Sequence, residues 1–362
     1  MSKILFHLGH PAHFHLFKFV IRQLELDGVP FVIVIKKKDV LEALVQSEGW
    51  DYYNVLPEGR ANSILGLIKG QLLQNYRLYK ICRKEKPTLL IGTSVAISHI
   101  GKLLQIPSYN VNEDDIEVVP LYGKLAYPWA TRIIAPSCCR VGKYQYKKIS
   151  YNGYHELAYL HPDRYHPNIN IKEKYLGGID RYFLIRFSSL NAHHDSGVSG
   201  IDNATAQQLI SVLEPYGHVF ITSERPLSPD LEPFRLAIHP IDMHDVLAFS
   251  GLFIGDSQTM CAEAGVLGIP FIRYNDFVGK ISYLEELEVE YDLGKGILPP
   301  NNRELLDLAA NWVQDENLLI KKRHNRDKML KSKIDTSSFL YEIINDFIAN
   351  SNFDKAFGGR IP

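Results

Sequence analysis

At 362 residues the chain is too long for one ordinary hydrophobic core and is expected to form two domains of roughly 150 to 200 residues each. Hydrophobic residues make up 46% and charged residues 22%, the balance of a globular chain, and 40 basic against 41 acidic side chains leave a formal charge of -1. With no global positive field, nucleic acid is not an expected partner. Cys82, Cys138, Cys139 and Cys261 have no CxxC spacing and fit neither a zinc ligand set nor a disulfide framework. No apolar run approaches the ~18 residues of a spanning helix and the first residues lack a signal-peptide pattern, so a cytoplasmic location with at most peripheral membrane contact is expected.

Short β-branched or aromatic runs alternate with amphipathic segments along the first half: "KILFHL", a helix from about Phe14 to Asp27, "PFVIVI", a helix over 39–47, and "DYYNVL". A helix from Ser63 to Lys84, "TLLIGT", a helix near 95–104, "PSYNV" and "TRIIAP" follow. Runs apolar on both faces and separated by helices indicate a parallel sheet covered on both sides, a doubly wound α/β domain. From Tyr144 to Asn170 the period fails, and the segment reads as a crossing between domains. Alternation restarts with "RYFLIRF", a helix over about 202–214, "HVFIT", "RLAIH", a helix over 242–249, "GLFIGD", a helix from Ser257 to Leu267, and "IPFIRY"; the last 60 residues read as mainly helical. The expected division is 1–150, a crossing at 151–175, a second Rossmann-like domain at 176–335, and a C-terminal helix and tail at 336–362. Two such domains in series are expected to face each other across a cleft, with ligands at the carboxyl ends of their strands.

The stretch "HPIDMHDVLAFSGLFIGDSQTMCAEAGVLGIPFIRY", residues 239–274, carries the densest signal. A strand ends at Gly255, the polar turn Asp256-Ser257-Gln258-Thr259 opens a helix, and Glu263 lies inside it. A helix start can hold phosphate oxygens, and a carboxylate deeper in the helix can accept hydrogen bonds from a diol. The region resembles the nucleotide-binding half of GT-B glycosyltransferases and of the related UDP-N-acetylglucosamine 2-epimerases, whose pattern Asp256, Ser257, Glu263, Ala264, Leu267, Gly268 and Pro270 match in register. Upstream, "IDMHDVLAFSGLFIG" is similar to a segment of the N-acetylglucosaminyltransferase that forms lipid II. The resemblance implies a GT-B-like α/β fold, a ribose-binding Glu263, and a nucleotide-sugar site that includes His239, Met243, Ser257, Thr259 and Met260. Gln258-Thr259 stand where the epimerases have glycines, Ala262 stands where they have a first glutamate, and "TSERP" at 222–226 is a displaced partial echo of an epimerase signature. From Lys3 to about Phe347 the chain resembles a prokaryotic family of unknown function allied to GT-B enzymes.

Arg186, Ser188 and Ser189, after the first strand of the second domain, offer a fixed cation and short donors suited to a diphosphate. In the first domain, "HLGHPAHFHLF" places four histidines within nine residues. GT-B enzymes often carry a histidine in this loop that deprotonates the acceptor hydroxyl, and the His13 to Gly28 spacing matches that of the lipid II-forming enzymes. His13 is therefore the expected base and His10 the runner-up, each kept neutral by a helix N-terminus. The alternative is that these histidines only cap and pack the turn. A metal site from His10, His13, His193, His194 and Asp195 lacks a recognised ligand spacing, so neither metal nor cofactor is expected beyond the donor. "NEDD" at 112–115 is either a solvated turn or an acid/base pair that would favour an epimerase or hydrolase. The segment 63–86 is either a core helix with a basic outer face or a surface that rests on a membrane bearing a lipid-linked acceptor. The expected activity is metal-independent hexosyl transfer from a UDP-linked sugar to a glycan or lipid-linked acceptor in surface-glycan synthesis. A nonhydrolysing epimerase and a non-catalytic nucleotide-sugar-binding protein are the alternatives.

Overall fold

The computed structural model describes residues 2–38, 40–58, 64–188 and 200–357, and divides them into two units, one of residues up to Tyr159 together with those from Ile334 onward, the other Leu160–Lys333. In the first, β1 (Ile4–Leu8) is buried along its whole length, as a central strand of a sheet covered on both faces must be. The chain continues through α1 (Pro11–Leu26), β2 (Phe31–Ile35), α2 (Leu41–Ser47), β3 (Tyr52–Asn54), α3 (Ile64–Glu85), β4 (Leu89–Gly92), α4 (Val95–Leu104), β5 (Ser108–Val111), α5 (Pro120–Ala126), β6 (Arg132–Pro136) and β7 (Lys148–Tyr151). These strands form a parallel sheet in the order β3-β2-β1-β4-β5-β6-β7.

The second unit holds α6 (Ile169–Leu176), β8 (Tyr182–Phe187), α7 (Asn203–Leu213), β9 (His218–Ser223), α8 (Met243–Ala248), β10 (Leu252–Gly255), α9 (Gln258–Leu267), β11 (Phe271–Tyr274), α10 (Ser282–Glu285), β12 (Gly294–Ile297), α11 (Asn302–Gln314) and α12 (Leu318–Ser332). Its strands pair in parallel in the order β12-β11-β10-β8-β9. The core there includes Phe183, Ile185, Leu209, Ile221, Ile254 and Ile272. The last helix, α13 (Thr336–Phe357), returns to the first unit and packs on α1. No helix among the described residues is long and apolar enough to cross a membrane.

Several expectations change. Helix α1 begins at Pro11 instead of near His13 or Phe14, because proline is pre-organised for a first helical position and His10, in extended backbone, supplies the cap. The expected crossing contains β7, an edge strand whose Lys148-Ile149-Ser150 are too polar to read as buried, so the first unit runs on to Tyr159. The segment 336–357 belongs to that unit as well and is not a separate tail. "RLAIH" is not a strand. It makes a single bridge, Arg235 to Ile221, because the Arg235 N–H is spent on the Glu232 carbonyl and the His239 N–H on Tyr175 Oη, which leaves Leu236 N–H to bond Ile221. The helix expected from Ser63 is seen from Ile64 onward, Ser63 itself lying outside the described residues.

One glycine is fixed by a close approach of backbone at the carboxyl end of the first sheet. Gly92, at the end of β4, has φ +148°, and a Cβ there would stand 2.3 Å from the His7 carbonyl oxygen on β1. Gly92→Ala is therefore expected to force β1 and β4 apart and to store strain of about 1–3 kcal/mol, seen as a fall of several degrees in the thermal midpoint. An unchanged midpoint would show that the two strands do not approach so closely.

Candidate functional site

In an open parallel sheet the loops diverge where the strand order reverses, and the carboxyl ends of the strands there leave a crevice for ligands. In the first sheet that point lies between β1 and β4, and in the second between β8 and β10. Of the residues singled out from the sequence, His10 and His13 follow β1, and Arg186, Ser188, Ser257 and Thr259 stand at the ends of β8 and β10.

In the second unit, Asp256 joins β10 to α9, and its Oδ1 accepts the Ser188 N–H at 2.6 Å, tying the loop after β8 to the loop after β10. Ser257 caps α9, its hydroxyl oxygen accepting from Met260 N at 3.4 Å. Thr259 and Met260 form the first turn, half-buried and buried. The turn is braced from behind. Asn275 Nδ2 donates to the Asp256 carbonyl at 2.9 Å, buried Arg273 donates to Asn275 Oδ1 at 3.4 Å, and Glu288 takes the Arg273 Nε–H at 2.7 Å. Burial raises the Asp256 carboxyl above its ordinary value against the pull of the Ser188 bonds and of nearby Arg225.

Arg186 ends β8 with its guanidinium on Glu224 Oε1 at 2.5 Å, and its Nε is buried with no hydrogen-bond partner among the described residues. Ser189, His193, His194 and Asp195 lie outside the described residues. Arg225, the arginine of "TSERP", stacks on the Phe187 ring at 4.6 Å and so reaches the same end of the sheet. That motif was the only trace of it in the sequence.

Glu263 is buried on α9, and its Oε1 accepts from His244 Nε2 of α8 at 3.0 Å. A carboxylate can only accept, so His244 carries its proton on Nε2. The sequence reading missed His244, whose place beside Met243 was its one signal. The preceding turn is tied to α6, Asp242 Oδ2 accepting from Lys174 and Tyr175 at 2.8 and 2.7 Å, and in α8 itself Asp245 Oδ1 accepts from Tyr165 Oη at 2.8 Å. His239 is exposed at the start of this turn, its Nδ1 accepting from Ile241 N at 3.4 Å, and Met243 is half-buried.

In the first unit, the loop after β1 turns into α1. His10 Nδ1 accepts the Ala12 N–H at 3.2 Å, and His13 Nδ1 accepts the Gly9 N–H at 3.0 Å. A neutral imidazole that accepts at Nδ1 must carry its proton on Nε2. Both candidates thus offer a ligand a donor, which alters the role expected of them: neither can take a proton at Nε2 while its backbone bond stands. Burial lowers the His13 pKa well below its ordinary value, helped by His10, Lys36, His155 and His7, so the ring is neutral near pH 7. His7, on β1, is buried with neither ring nitrogen hydrogen-bonded among the described residues, and burial followed by Lys36 lowers its pKa to about 3.

Of the "NEDD" residues, Asn112 and Asp115 are buried and structural: Asn112 Nδ2 donates to Tyr127 Oη at 3.0 Å, and Asp115 Oδ1 accepts from Arg140 N at 2.7 Å. Glu113 instead meets His155, in the 3-10 turn His155–Ala158 that packs on α1. Among the described residues no group of three or more His, Cys, Asp or Glu side chains could hold a metal ion.

A family model described as "Protein of unknown function (DUF354)" matches residues 2–281. The fold is similar to that of S. aureus MnaA in its co-structure with UDP, with a TM-score of 0.68 and 16% identity over 97% of each chain. It is similar to UDP-GlcNAc 2-epimerase of Methanocaldococcus jannaschii, in complex with UDP-GlcNAc and UDP, with a TM-score of 0.64 and 15% identity over 90% of this chain and 99% of that one. For the calicheamicin glycosyltransferase the TM-score is 0.59 and the identity 12%, over 96% and 98%. At these identities the likeness establishes the GT-B-like α/β fold. Among curated proteins, none matches the sequence.

The buried histidines make stability depend on pH with a definite sign. His7 and His155 hold pKa values of about 3 and about 4 against an ordinary 6.5, so as pH falls below 6.5 the unfolded chain takes up these protons first. Their contribution is complete above pH 6.5 and declines down to their folded values, each unit of depression being worth about 1.4 kcal/mol. The thermal midpoint is expected to fall from pH 6.5 downward, and His7→Phe should flatten that slope. Identical slopes in wild type and variant would show that His7 is not buried neutral.

Proposed function

The chain belongs to the DUF354 family, and from its GT-B-like fold and the two strand-end sites we propose that it is an enzyme that binds a UDP-linked sugar on its second unit and transfers the sugar to an acceptor held by the first. The observation that carries this reading is the start of α9 at the switch point of the second sheet, with Glu263 further along the same helix. The N–H groups of a helix start, with Arg186 and Arg225 near the same strand ends, suit the diphosphate, while a carboxylate fixed by His244 suits the ribose hydroxyls. The solved structures in complex with UDP and UDP-GlcNAc are consistent with that ligand class. Protein dipoles and arginines would stabilise the departing diphosphate, so no metal and no cofactor beyond the donor is required. His13 and His10 would donate to an acceptor or sugar oxygen. We place the activity in the cytoplasm, in surface-glycan synthesis with inversion at the anomeric carbon.

Glu113, beside the first-sheet site, favours a second reading, a nonhydrolysing UDP-sugar 2-epimerase. Proton NMR of UDP-GlcNAc incubated with the protein alone separates the two: a new sugar nucleotide selects the epimerase, while UDP release that accelerates with an added acceptor selects the transferase.

Calorimetry tests the donor site directly. UDP is expected to bind the wild type with or without EDTA, and Glu263→Ala and Glu263→Gln should each weaken it by the ~1.5–3 kcal/mol of a hydrogen bond to a charged group. Unchanged affinity in a folded variant would remove Glu263 from the site, and loss of UDP binding in EDTA would overturn metal independence.

The acceptor is proposed to be lipid-linked, on the strength of α3. Leu78 and Cys82 are buried there, but Leu65, Ile68, Leu72 and Tyr76 are 80%, 55%, 63% and 56% exposed, on one stripe beside the exposed Lys69 and Lys80. An apolar stripe flanked by lysines suits the surface of an anionic bilayer. The protein should sediment with anionic vesicles and fail to do so as Leu65→Asp/Leu72→Asp; equal sedimentation of both would refute the contact.

A further inference from the structure

Three histidines stand near the carboxyl ends of the first sheet, and the backbone decides what each can do. His10 and His13 are committed to Nε2–H because their Nδ1 atoms are occupied by backbone donors. His155 is held the opposite way. The Glu113 carboxylate grips the residue twice, Oε2 accepting the His155 backbone N–H at 3.1 Å and Oε1 lying 3.3 Å from His155 Nδ1. A carboxylate facing Nδ1 places the proton on that nitrogen and leaves the lone pair on Nε2. That Nε2 is buried and has no hydrogen-bond partner among the described residues. A buried acceptor left unmatched costs free energy unless a ligand satisfies it.

We infer that Glu113 and His155 form the acid/base dyad of this protein, with His155 Nε2 as the proton acceptor. His13 lies on α1, the helix on which the turn of His155 packs. The inference rests on the transfer reading above and supplies its missing base. In the reacting complex His155 Nε2 takes the hydroxyl proton while the oxygen bonds to the anomeric carbon. The bond from that carbon to the diphosphate oxygen breaks, and its electron pair leaves with UDP. Glu113 then faces an imidazolium, whose charge it offsets. Burial holds the pKa of His155 at about 4 despite the opposing pull of Glu156 and Asp114, so the ring is neutral and ready to accept at neutral pH. Glu113 itself touches only His155 in this scheme and is a positioning residue.

Two measurements decide it. Nitrogen-15 NMR of histidine-labelled protein at neutral pH, with signals assigned by their loss in His155→Gln and His13→Gln, should show His155 protonated on Nδ1 and His13 on Nε2. Glu113→Gln should disturb the His155 tautomer and leave that of His13 intact. UDP release from UDP-GlcNAc, with water as the acceptor, should fall by ~100-fold or more in His155→Gln, with UDP affinity retained. A His155 ring protonated on Nε2, or wild-type turnover in a folded His155→Gln, overturns the dyad. A wild type that neither binds UDP nor releases it sinks the nucleotide-sugar reading instead, and the tautomers alone then decide the dyad.

Discussion

Parallel pairing of β1 with β4 and of β8 with β10 is the constraint from which the chemistry of this protein follows. A parallel sheet covered by helices on both faces leaves no polar surface along its strands, so side chains that must meet a ligand collect where the strands end and the loops part. Both sheets diverge from an early strand, β1 or β8, and the loops beyond these strands carry His10 in one unit, with His13 just after it in α1, and Ser188 in the other. The next strand inward supplies the partner loop: Gly92 beside His7 in the first sheet, Asp256 beside Ser188 in the second.

Backbone amides then assign roles that side-chain identity leaves open. An imidazole can be base, donor or cap, and the choice depends on which nitrogen is already occupied. In the first unit one extended residue ahead of a proline sets His10, a single N–H from Gly9 sets His13, and a carboxylate sets His155 the other way. The same logic governs the second unit, where His244 Nε2 donates because its partner there is the carboxylate of Glu263. In the proposed dyad, donor and acceptor nitrogens are thereby separated without any ring having to change its tautomer.

Most of the architecture was legible because it rests on apolar runs. Strands such as Ile4–Leu8 and Leu252–Gly255 are buried on both sides and carry their signal in every residue. The elements that escaped lack such runs: β7 is a polar edge strand, and β12 has the sequence Gly-Lys-Gly-Ile, with Gly294 required by the Phe271 ring, which a Cβ would meet at 2.3 Å. At the candidate sites the sequence placed His10 in the loop after β1, and Ser257 and Glu263 at the start and inside of a helix, whereas His13 lies within α1 and not in the loop. Their hydrogen-bond partners were not legible, since His155 and Glu113 are 42 positions apart and His244 and Glu263 are 19 apart. Pairings of that kind are fixed by the fold and leave no periodic trace.

The return of α13 to the first unit makes residues 160–333 an insertion within it. Helix α1 precedes the inserted unit in the chain, yet its partner helix α13, joined to the end of α1 through the Tyr341 to Asp27 hydrogen bond, follows that unit. The inserted unit has its own core and can fold while the apolar flank of α1 still waits for cover. Contacts between the two ends of such a chain are long-range closures, and they are expected to form late and slowly. During synthesis the histidine loop, carried on α1, therefore acquires its final setting only after the other unit is complete.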